Sequence, residues 1–84
     1  MSETFNAWKA RTMSRLGAII RNVSDPEARK HVNNLIVKLG ELRARDISGW
    51  IRDLILIANA YPEIAQELLA LIPSEEDIEF WLRK

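Results

Sequence analysis

The side chains able to do acid–base or metal chemistry in this sequence are few, and their spacing is that of helix surface. The single histidine, His31, stands four residues after Glu27, which puts both on one helix face and would suit a metal-ligand pair or an acid–base couple. A metal site takes three or four ligands, and this pair falls short of that number. A second cluster, Glu63, Glu67, Glu75, Glu76, Asp77 and Glu79, would attract a divalent cation. Its last members, however, sit where a helix start favours carboxylates in any case. The chain has no cysteine, which removes thiol nucleophiles, disulfides and cysteine–zinc clusters. A glycine-rich phosphate loop, a nucleophile elbow and a dinucleotide fingerprint are likewise missing. The expectation is a chain that is not an enzyme, with no catalytic residues, no cofactor and no metal.

Charge points to partners instead. Residues 1–45 carry nine Lys and Arg against four Asp and Glu, residues 46–84 carry three against eight, and the whole is neutral. A split of this kind produces two regions of opposite potential, which steer a partner or align two copies. On a helical wheel Arg11 and Arg15 fall together, Arg21 lies some distance round, and Lys9 sits near the apolar stripe. These arginines are the candidate contacts for a nucleic-acid-binding alternative, although a phosphate-tracking stripe is tighter and dedicated nucleic-acid domains are usually basic. A helix-turn-helix around Ala44, Arg45 and Asp46 has a turn of suitable length. It lacks a turn glycine, and the Ile47, Trp50, Ile51 segment is too apolar to read a groove.

The elements that position these residues are helical throughout, because apolar positions recur at three and four and glycine and proline serve as punctuation. The pattern predicts a first helix over 3–23, with Phe5, Trp8, Thr12, Leu16, Ile19, Ile20 and Val23 on one face. Asp25 as a cap with Pro26 in the first turn opens a second over 26–43. Its seam is Ala28, Val32, Leu35, Leu39 and Leu42, widened by Ile36. Asp46 is expected to cap a third helix over 47–61, whose inward face of Ile47, Trp50, Ile51, Leu54, Ile55, Ile57, Ala58 and Tyr61 is broad enough to lie between several neighbours. Pro62 starts a fourth helix to 72, burying Ile64, Ala65, Leu68, Leu69, Leu71 and Ile72. Ser74, with Asp77 three residues on, opens a last helix reaching Arg83 and Lys84. The fold class is therefore all-α: one domain over 1–84, a compact bundle of four to five helices joined by short turns.

Thirty-one large apolar residues, Tyr61 included, are many for 84 residues, and a chain this small buries a limited share of its surface. That excess implies a protein partner. Several large apolar residues fall off the predicted core faces, namely Met13, Val37, Leu56 and Phe80. Trp8 at the margin of its stripe and Trp81 near the chain end join them as candidate interface anchors, tryptophan being favoured in that role. The first helix also presents small residues opposite its apolar stripe: Ala7, Ala10, Ser14, Gly17 and Ala18. The expected function is a non-catalytic protein–protein interaction module of the regulatory, adaptor or inhibitor type, forming a homodimer. The longest apolar runs, such as 54–58, are far too short to cross a bilayer, and no apolar leader opens the chain, so a cytoplasmic setting is expected.

Overall fold

The computed structural model describes residues 3–83; Met1, Ser2 and the expected helix end at Lys84 lie outside them. Among the described residues there are five α-helices and one 3-10 turn: α1 (Phe5–Asn22), α2 (Pro26–Gly40), the turn Ala44–Asp46, α3 (Ile47–Ala60), α4 (Pro62–Leu69) and α5 (Glu75–Leu82). The starts follow local chemistry. Thr4 accepts from the Ala7 N–H, Asp25 from the Glu27 N–H and Ser74 from the Asp77 N–H, each satisfying a first-turn donor that has no partner within the helix. Pro26 and Pro62 occupy first-turn positions, where the missing N–H costs nothing.

Three boundaries differ from expectation. The second helix stops at Gly40, where the Glu41 and Leu42 N–H groups turn back three residues to the Lys38 and Leu39 carbonyls. Glycine is a poor continuation there. Asp46 makes no side-chain cap; the 3-10 turn leads straight into α3, and the Asp46 carboxylate lies 4.0 Å from the Arg45 Nε. The fourth helix ends at Leu69, because Leu71 and Ile72 tighten into three-residue hydrogen bonds ahead of Pro73, which disfavours helix in the residue before it.

The helices form a ring. α1 packs on α2 and α4, and α3 packs on the same two. The molecule measures 39 × 21 × 20 Å. α5 is seated against the 3-10 turn and, through Trp81, against Glu3 just ahead of α1.

The core beneath α5 is aromatic. The Trp8 ring, fully buried, meets Trp50 edge-on at 5.5 Å between centroids and Trp81 at 5.4 Å, and Phe5 meets Trp81 edge-on at 5.3 Å. Edge and tilted contacts of this kind add to simple burial. Each indole N–H is spent on a backbone carbonyl of another segment: Trp8 on Leu71 at 3.0 Å, Trp50 on Leu35 at 3.1 Å and Trp81 on Glu3 at 2.7 Å. Lys9 belongs to the same end, donating to the Leu42 carbonyl at 3.0 Å with its ammonium 5.5 Å from the Phe5 ring centre.

Most of the expected inward faces are inside, with two exceptions. Ile55 and Leu69 are exposed, each standing about 100° round its helix from a fully buried position, Leu54 and Leu68. Among the described residues one buried side-chain polar atom, the Thr12 Oγ1, has no hydrogen-bond partner.

These contacts set two opposed expectations for urea unfolding. Trp8→Ala should cost about 3–5 kcal/mol, a large share of the stability of a domain this size. Thr12→Val should instead stabilise by about 1 kcal/mol, since it removes a buried hydroxyl that has no partner to lose.

Candidate interaction surface

The short turn between α2 and α3 makes them antiparallel neighbours, so residues equidistant from it come opposite one another. Lys38 on α2 meets Asp53 on α3 with Nζ 3.2 Å from Oδ2. Toward the other end His31 meets Tyr61, ring centres 5.8 Å apart. Between these two closures runs a groove of about 320 Å³, floored and walled by Leu35, Leu56, Ile57 and Ala60, with Asn34 on its α2 edge. Leu56 stands on its rim at 61% exposure, and Val37, one turn past Asn34, is 57% exposed. Burial, and then the charges of Asp25 and Glu27, push the Tyr61 hydroxyl above its ordinary range, so it is a neutral donor at physiological pH.

The expected interface residues separate into three groups. Leu56 is exposed and lines this groove, while Val37 is exposed on α2 outside the groove lining. Phe80 is at 36% exposure on α5, outside the groove lining. Trp8 and Trp81 are a correction: both are buried, because their rings build the aromatic core and their N–H groups serve the carbonyls of Leu71 and Glu3. Met13 is half-buried and packs against the core from the flank of α1. The small-residue face of α1 has Ala7, Ala10 and Ser14 exposed, and the Arg21 guanidinium lies over Gly17, 3.8 Å from where a Cβ would stand.

The cations of the first half have diverse local roles. Arg11 makes a two-pronged contact with Glu3, Nη2 to Oε1 at 2.8 Å and Nε to Oε2 at 3.1 Å. Arg15 lines a second groove, between α1 and α4, whose opposite wall carries Glu67. Arg21 lies on the outer face of α1, so Arg11, Arg15 and Arg21 do not converge on one stripe. The first turn of α3 is committed inward through Ile47 and Trp50, which removes it as a base-reading element. Among the described residues no cluster of three or more His, Asp or Glu is placed to hold a metal ion, and no helix is long and apolar enough to cross a membrane.

Comparison of the chain with protein-family models, with curated proteins and with solved structures finds no match in any of the three. The surface itself must then carry the functional argument. Sequence reasoning missed Lys38, Asp53, Asn34 and Ala60 as groove residues. The signal that reveals them is the antiparallel register across a short turn, which brings Lys38 opposite Asp53 although 15 residues separate them.

The Glu3–Arg11 pair gives a pH expectation. The hydrogen bond from Arg11 holds the Glu3 carboxyl below its ordinary range. A lowered folded pKa contributes stability that is present above the ordinary value and is lost as pH falls through the lowered one. Both side chains are partly exposed, Arg11 at 45%, so the contribution is under about 1 kcal/mol. Glu3→Gln should lower the melting temperature slightly at neutral pH and flatten the loss of stability as pH falls below the ordinary carboxylate range.

Proposed function

We propose that this chain is a non-catalytic protein–protein interaction module, of the small regulatory or adaptor type, that self-associates. The observation that carries the reading is the α2/α3 surface. Leu56, at 61% exposure, stands on the rim of a groove lined by Leu35, Ile57 and Ala60 and bounded by Lys38–Asp53 and His31–Tyr61. Single exposed apolar residues are ordinary, whereas a knob beside a hollow of matching chemistry is the composition of an interface centre. The arrangement can act by occlusion or bridging, with apolar anchors supplying contact area and charged edges fixing orientation. A cytoplasmic setting fits a cysteine-free chain.

Nucleic-acid binding is supported less well, since Arg11 is engaged by Glu3 and Lys9 by the Leu42 carbonyl. Light scattering across protein concentration, at low and high salt and with or without a random DNA duplex, tests the reading. The expected result is a mass that rises with concentration toward twice 9.7 kDa and ignores the duplex. A salt-sensitive complex with the duplex overturns it.

A further inference from the structure

We infer that α5 is a detachable cap: the segment from Ser74 to Arg83 undocks and unfolds as a unit while α1 to α4 stay folded, and its release uncovers the Phe5 and Trp8 rings beneath it. No residue of α5 lines the α2/α3 groove, so this opening is independent of the self-association proposed above.

The bonds that shape α5 are local. The Ser74 hydroxyl accepts from the Asp77 N–H, the Ile78 N–H donates to the Ser74 carbonyl, and the Arg83 N–H donates to the Glu79 carbonyl. All of them close within the segment itself. A helix of eight residues is too short to persist in water without packing, so α5 is helical while it is docked and loses its helix when it is not.

The strongest ties to the rest of the molecule run through one side chain. Of the residues in α5, Trp81 alone is buried. Its N–H donates to the Glu3 carbonyl at 2.7 Å, and its ring meets Phe5 at 5.3 Å and Trp8 at 5.4 Å. The half-buried Ile78 adds apolar packing. Every salt bridge among the described residues lies outside α5. The acceptor of the indole bond belongs to no helix either, since Glu3 precedes the Thr4 cap of α1. Elements with little buried contact of their own are the ones that open below the global unfolding transition.

The floor that α5 leaves behind stays bonded. Trp8 keeps its N–H on the Leu71 carbonyl and its edge contact with Trp50, whose own N–H remains on the Leu35 carbonyl. Leu71 and Pro73 are buried, which fixes the chain up to the start of the cap. Ser74, exposed and extended, is the hinge.

Native-state hydrogen exchange on the full chain, followed amide by amide by NMR in low urea, tests the cap. The amides of residues 78–82 should exchange through an opening of lower free energy than the one that governs α2 and α3. Its urea dependence should also be smaller, because less surface is exposed. Trp81→Phe keeps an aromatic ring and removes the N–H, and should speed exchange in α5 by roughly two- to tenfold. Trp81→Ala should bring the α5 amides to the rate of an unfolded chain while those of α2 and α3 stay protected. Equal protection and equal urea dependence of α5 and of α2 and α3 in the parent overturns the inference. A Trp81→Ala chain whose helices are all protected alike, or all unprotected, overturns it too. Exchange in α5 that Trp81→Phe leaves unchanged overturns the indole bond as part of the latch.

Discussion

Trp8 is the residue on which the rest of this fold depends, because three separate segments meet on its one side chain. Its ring takes Trp50 from α3 edge-on and Trp81 from α5 at a tilt. Its N–H satisfies the Leu71 carbonyl just beyond α4, where the approach to Pro73 has broken the helical ladder and left that carbonyl in need of a donor. A large apolar body with a single polar edge is suited to this double role. The other two indoles repeat the device, linking α3 to α2 through Leu35 and α5 to the start of α1 through Glu3. Three helices, α1, α3 and α5, are thus each tied to another segment by an indole N–H as well as by apolar packing.

This arrangement concentrates rigidity at one end and along the axis, and it decides which surfaces are left over. With its tryptophans spent inside, the chain's outer apolar area falls to aliphatic side chains, above all Leu56 and Val37. Between α2 and α3 lies a groove whose lining includes Leu35, the residue whose carbonyl accepts the Trp50 N–H. Its closures are a salt bridge at one end and a ring contact at the other, and its lining mixes Leu35, Leu56, Ile57 and Ala60 with the polar Asn34.

The charge split along the chain has a more local explanation than a two-faced molecule. Arg11 is engaged by Glu3, Lys38 by Asp53, and Lys9 by a carbonyl at the end of the second helix region. Glu75, Glu76 and Asp77 occupy the first turn of α5, where the positive end of the helix dipole stabilises carboxylates. Of these pairings Lys38–Asp53 joins the two halves, whereas Arg11–Glu3 lies within the first.

What the sequence determined by itself was the set of helices and the residues that start them. Thr12, Leu16 and Ile19 on one helix, or Val32, Leu35 and Leu39 on the next, share a face by periodicity alone, and Asp25, Ser74 and the prolines act within a few residues of their own position. All-α architecture follows from that local information. Where helices stop was less legible, since the ends at Gly40 and Leu69 depend on hydrogen bonds that tighten under tertiary packing. Only the tertiary structure decided the fate of residues at the margins of their stripes. Trp8 and Trp81 were drawn inside and Ile55 and Leu69 left outside, because burial there depends on which neighbour arrives. The groove between α2 and α3 belongs to the same class: its walls come from two helices, and no property of either one alone encodes the space between them.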